Sequence, residues 1–409
     1  MESAQRLFTP RFFLMCGFSF TVFLSAFQLL PVAPYRILAL GGSAAVAGLF
    51  LGLLTYSSAV TAPVTGALVD RLGSRRILIT ASLAITLFSL AYAVLPNYPM
   101  MLALVIVHGL FWSGLLSASS TYAASLVPAS RRAEGLGYWG LSTVLAVSVA
   151  PTIGLWVYSS GGWTAMCLEA AALNLVMAAI AWRLPSDRTV AEPRLSDARP
   201  LLEWRVLAVS GALFLYSFGY GGLTSFIALY TDANGVTPRA LYFTVFSLTI
   251  VFTRPFVGRF ADRAGYRRVF LPAVGLVVLA FALLALGGSR PVLIASAILF
   301  GTGFGSAYPA FLGHVLKYVD EKRRGAAFGS IIGMFDTGIG TGSIAMGWIV
   351  EHLGYRAAWG TAAGLAACAI PYFMLVDRKV LGKAPASAGV EPTEGVGFSP
   401  ARHKGGRGL

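Results

Sequence analysis

Two acidic side chains and a histidine stand where charge is costly. Asp336 lies in the run Gly333-Met334-Phe335-Asp336-Thr337-Gly338-Ile339-Gly340, with apolar sequence continuing on either side. Glu169 follows Ala165-Met166-Cys167-Leu168, and His108 follows Leu104-Val105-Ile106-Val107. A carboxylate inside hydrocarbon needs a proton, a partner or a water-filled cavity, so Asp336 is a candidate for proton or substrate coupling. Its other reading is a neutral or paired aspartate that holds a helix interface. Glu169 is a candidate carboxylate near the outer end of its span, or an interfacial charge. His108 could titrate near neutral pH, or simply be a hydrogen-bonded packing residue.

The remaining candidates are sparser. Arg254, directly before Pro255, is expected to contact substrate or to neutralise Asp262. Gln28, Trp112 and Tyr220, with neighbouring rings such as Phe23, Phe27, Phe111 and Tyr216, are candidates for lining a cavity that suits a small amphipathic solute. Cys16, Cys167 and Cys368 fall within apolar runs without metal-ligand spacing and read as small hydrophobes. No zinc pattern, nucleophile elbow or phosphate-binding glycine loop stands on a suitable element, so neither an enzyme nor an ATP-driven pump is expected. No cofactor is expected either.

The elements that carry these groups are membrane spans. Of the residues 56% are hydrophobic and 12% charged, a balance that a water-soluble globule of 409 residues would not show. The net charge of +14 could suggest nucleic acid, but it is concentrated in short clusters between apolar runs of about 20 residues, which excludes a basic binding face. Twelve spans are expected, at 12–33, 42–65, 77–95, 100–126, 135–158, 164–182, 206–230, 240–257, 269–287, 291–315, 326–350 and 357–376. The first lacks a small-residue cleavage site and is expected to be kept as a helix. Only Arg36, Arg239, Arg290 and Arg356 fall on one side; the other 27 of the 31 Lys and Arg fall on the other, which predicts cytoplasmic termini.

The chain repeats itself. Gly66-Ala67-Leu68-Val69-Asp70-Arg71-Leu72-Gly73-Ser74-Arg75-Arg76 returns 192 residues later as Gly258-Arg259-Phe260-Ala261-Asp262-Arg263-Ala264-Gly265-Tyr266-Arg267-Arg268. The same offset places Arg131-Arg132 on Arg323-Arg324 and Gly162-Trp163 on Gly354-Tyr355. The expected organisation is a bundle over 1–182, a linker over 183–205, a second bundle over 206–378 and a disordered tail over 379–409. Six spans per half give both halves one orientation, with the path between them.

These two loops resemble the signature of the major facilitator superfamily, and the resemblance covers about residues 10–378. It implies an all-α membrane protein of twelve transmembrane helices in two pseudo-symmetric six-helix bundles. It also assigns a gating role to Gly66, Asp70, Arg71, Gly73 and Arg75 and, in the second copy, to Gly258, Asp262, Arg263 and Arg267. The alternative is that these charges only fix topology. Gly137, Pro151 and Gly154 are similar to the family's antiporter helix, although Ala146 and Ala150 replace glycines and Leu155 replaces the last one. The implied protein is a proton-coupled exporter of a drug-, sugar- or metallophore-like solute, monomeric in the cytoplasmic (inner) membrane, with the proton gradient as its driving force. The alternative is proton- or ion-coupled uptake of a small organic solute.

Overall fold

The computed structural model describes residues 7–128, 131–185, 203–319 and 323–380, without the side chains of 132–134, 254–264, 316, 324 and 325. Most of the linker and the tail therefore lie outside the described residues. The described chain is all-α: α1 (Pro10–Ala39), α2 (Ala44–Leu72), α3 (Ser74–Val94), α4 (Tyr98–Leu126), α5 (Arg132–Arg183), α6 (Trp204–Ala233), α7 (Leu241–Ala264), α8 (Tyr266–Leu286), α9 (Arg290–Val315) and α10 (Arg324–Val380). Among the described residues, nine helices are long and apolar enough to cross a membrane, and α7 contributes a shorter apolar segment, Leu241–Thr253. Bulky apolar side chains such as Leu87, Trp156 and Leu286 remain exposed on the helix faces, as lipid contact requires.

Local chemistry sets the helix starts. Thr9 Oγ1 accepts the Phe12 N–H at 3.2 Å with Pro10 in the first turn, and Asn97 Oδ1 accepts the Met100 N–H at 3.0 Å. Each side chain satisfies one amide that the first turn leaves without a partner.

The twelve expected spans appear as ten helices, because helical hydrogen bonding continues across two expected turns. Spans five and six both fall in α5, and spans eleven and twelve both fall in α10. Each long helix is broken by one residue with non-helical geometry, Gly162 at φ 74° and ψ −170° and Gly354 at φ 80° and ψ 171°. That region is open essentially to glycine alone. The α5 arms lie side by side, since Gly154 on one arm and Glu169 on the other both touch Gln28. Along α10 the first arm pairs Ser330 with Glu203 and Ser343 with Ser225, whereas the second pairs Trp359 with Tyr230 and Tyr372 with Ala208, so it runs back down α6.

Gly73 and Gly265, again 192 residues apart, break α2 from α3 and α7 from α8 at φ 85° and 91°. Packing repeats in the same way. Helix α5 covers α1 and α3 while α4 covers α2 and α3; α10 covers α6 and α8 while α9 covers α7 and α8. The first five helices meet the last five chiefly where α2 lies on α10, with smaller contacts of α5 on α7 and α1 on α6.

Candidate functional site

The helix ends near Gly73 and Gly265, together with those at Arg183 and Trp204, form the basic end of the molecule, and the turns at 40–43, 234–240, Gly162 and Gly354 form the opposite end. Among the described residues, the hydrogen bonds joining the first five helices to the last five run from the opposite end only to mid-depth. Tyr35 Oη donates to Asp232 Oδ2 at 3.0 Å, the Ala45 N–H donates to Glu351 at 2.8 Å, and Ser343 Oγ donates to Gly48 O at 2.8 Å. Tyr56 Oη and Thr341 Oγ1 are hydrogen-bonded at 2.6 Å, Thr152 meets Thr244 at 3.3 Å, and Ser247 donates to Ser148 O.

Beyond that depth the same four helices expose their side chains. Val60 on α2 is 77% exposed and Phe252 on α7 70%, and Leu141 on α5 and Ile332 on α10 are also exposed. The two halves thus touch at the opposite end and part toward the basic end, leaving an opening between them.

Asp336 lies at the apex of that opening. Positions 336, 340, 343 and 347 form one stripe of α10 at helical spacing. Gly340 lies against Thr55, Ser343 bonds to Gly48, and Gly347 lies against Ala44 and Gly48, so the stripe is the face that meets α2. Asp336 is the next member of the stripe, one turn past the last contact. It is half-buried and has no hydrogen-bond or ion-pair partner among the described residues. Its neighbour Phe335 stands 5.0 Å from the Tyr308 ring and 6.1 Å from Phe304, and Phe304 in turn stacks on the buried Tyr216 at 5.3 Å and lies tilted 4.3 Å from the buried Tyr220. Tyr308 is within electrostatic reach of Asp336.

The other candidates are dispersed. Gln28 is fully buried and its Nε2 donates to Glu169 Oε1 at 3.2 Å, while Gln28 Oε1 and Glu169 Oε2 are buried without partners. His108 packs inside the first half, with Nδ1 3.4 Å from Tyr92 Oη. Together with Ser25, Ser89, Trp112 and Asn174 it borders a cavity with room for about one water. Trp112 also meets Phe23 edge-on at 5.4 Å. Gly154 permits a close approach, since a Cβ there would stand 2.8 Å from Gln28 Cβ. Pro151 and the surrounding Ala146 and Ala150 lie in the same packed stretch, whereas Gly137 has open space around it.

At the basic end, Asp70 and Arg71 are exposed, and Asp70 has no ion-pair partner among the described residues. Arg75 donates to Trp182 O at 2.6 Å, and Gly66 has free space around its Cα. Arg267 lies 3.6 Å from Asp377, which also bonds His314 Nε2 at 2.8 Å. The side chains of Arg254, Asp262 and Arg263, and the surroundings of Gly258, lie outside the described residues.

Residue-by-residue reading missed the opposite-end cluster. Asp232 accepts both from Tyr35 and from Arg239 Nε, at 2.8 Å, and the Arg239 guanidinium stands 5.3 Å over the Tyr35 ring. An available signal was Arg239 itself, one of four basic residues on that side, close to the acidic Asp232. Among the described residues no group of His, Cys, Asp and Glu could hold a metal ion.

Comparison with known proteins gives one family. The family model described as Major Facilitator Superfamily matches residues 13–242 and 209–405. The uncharacterized MFS-type transporter YhhS of Escherichia coli K12 is 25% identical over 366 residues, covering 86% of this chain and 89% of that protein, and YhhS of Salmonella typhimurium LT2 matches to the same extent. Among solved structures, the nucleoside transporter NupG superposes with a TM-score of 0.72 at 17% identity, over 90% of this chain and 99% of that one. The human organic anion transporter MFSD10 (TETRAN) superposes at 0.68 and 18%, over 90% and 100%. At these identities the structures share the fold.

Proposed function

Because the chain belongs to the Major Facilitator Superfamily, and is therefore a membrane-embedded secondary active transporter of a small molecule rather than an enzyme, we propose that it is a proton-coupled exporter working by alternating access. Counting the arms on either side of Gly162 and Gly354 separately gives twelve crossings, six in 1–182 and six in 206–378. The basic end then faces the cytoplasm of a cell whose inner membrane holds the protein, and the opening described above is the cytoplasmic approach. The proton gradient supplies the driving force.

One observation carries the coupling assignment: an unpaired carboxylate, Asp336, at the apex of the opening, where the halves separate. Adding or removing a proton there changes the charge at the point about which the halves rock. It thereby shifts the balance between the two access states. The likeness of Gly137, Pro151 and Gly154 to the family's antiporter helix favours export, whereas the close Gly154–Gln28 approach by itself is helix packing.

The test is flux in proteoliposomes under an imposed pH gradient. Wild-type efflux follows the gradient and Asp336→Asn abolishes that dependence, with a loss of about tenfold or more in driven rate. Equal flux with the gradient collapsed and in the variant removes proton coupling through Asp336, and accumulation in whole cells rather than in everted vesicles reverses the direction.

A further inference from the structure

The apex of the opening has a definite chemical bias. The hydroxyls closest to Asp336 along its helix are already committed: Thr337 donates to Gly333 O at 2.6 Å and Thr341 to Thr337 O at 2.7 Å. Across the gap, Thr55 donates to Leu51 O at 3.0 Å. Among the described residues, what remains for a solute is one carboxylate without a partner, and beside it the half-buried rings of Tyr308, with its hydroxyl, Phe335 and Phe304. Among the described residues a polyol would find few free donors there, and a metal ion would find no cluster of ligands. An anion would meet an uncompensated like charge.

A cationic head fits both features, since the carboxylate neutralises it and ring faces attract it through their quadrupoles. Behind these rings Tyr216 and Tyr220 are buried and pack against Phe304, which fixes its position beside the opening.

We propose that the solute is a monovalent organic cation with an aromatic or apolar body, held at the apex with its charge on Asp336 and its body against Tyr308, Phe335 and Phe304. This deepens the transporter reading and rests on it, because it takes the opening to be the solute path. Cation and proton then occupy the same carboxylate in turn.

The experiment is equilibrium binding to purified full-length protein with no gradient present, using tetraphenylphosphonium and tetraphenylborate, two probes of nearly one shape and opposite charge. The phosphonium binds, the borate does not, and Asp336→Asn weakens phosphonium binding by about tenfold or more. Asp336→Glu keeps most of the affinity, and Tyr308→Leu and Phe335→Leu each reduce it. The proposal is overturned by borate binding as tightly as phosphonium. It is equally overturned if cooperatively melting wild-type protein binds no phosphonium, or if monodisperse Asp336→Asn protein binds it like the wild type. Binding read in this way is independent of flux, so loss of the cation assignment and loss of the exporter assignment are separate results.

Discussion

Gly354 and Gly162 show how much a single residue can decide. Each holds a left-handed, extended backbone geometry between two helical arms, where a Cβ would strain the chain although no neighbouring atom blocks it. Gly354→Ala is therefore expected to destabilise the protein by about 1–3 kcal/mol, read as a lower melting temperature, whereas Gly137→Ala, in open space on a regular helix, should leave it nearly unchanged. At the same scale, Asp336 was legible in the sequence because a carboxylate inside an apolar run stands out alone. Its lack of a partner was not legible, since that depends on which side chains the other helices bring near it.

Between elements, the cluster of Tyr35, Asp232 and Arg239 ties α1 to the end of α6 and the approach to α7. The bonds are partly solvent-exposed, so their worth lies less in overall stability than in holding one end shut. Asp232→Asn and Tyr35→Phe are expected to raise the population open at that end. A cysteine placed at Leu51, buried in the present state, would report this as several-fold faster thiol labelling from that side. Unchanged labelling in both variants would reduce the cluster to a surface contact. A second brace, His314–Asp377–Arg267, joins α9, α10 and α8 at the basic end. It lies within the last five helices and so is expected to move with them as one body.

For the whole molecule, alternating access requires the α2–α10 contact to open and close. A Cβ at Gly340 would lie 3.4 Å from Thr55 Cβ, close to the spacing a disulfide needs. The pair Thr55→Cys and Gly340→Cys is expected to cross-link under mild oxidation, to stop flux and to recover it on reduction. Continued flux in the fully cross-linked protein would show that this contact does not part during transport. Asp70, at the end where the halves part, is exposed and has no ion-pair partner among the described residues.

The sequence by itself determined the all-α membrane class, the 192-residue repeat, the family and the position of Asp336 inside an apolar run, because apolar run length, glycine position and residue type are local properties. It separated α5 and α10 into four spans, since Gly-Gly-Trp and Leu-Gly-Tyr look like loops, whereas helical bonding resumes at once on either side of a single bent glycine. Only the tertiary structure decided that Tyr35 meets Asp232, that His108 is packed inside one half, and that Asp336 stands at the apex of an opening. Those facts depend on which distant helices become neighbours and at which end they part, and the chain's local pattern carries no record of that.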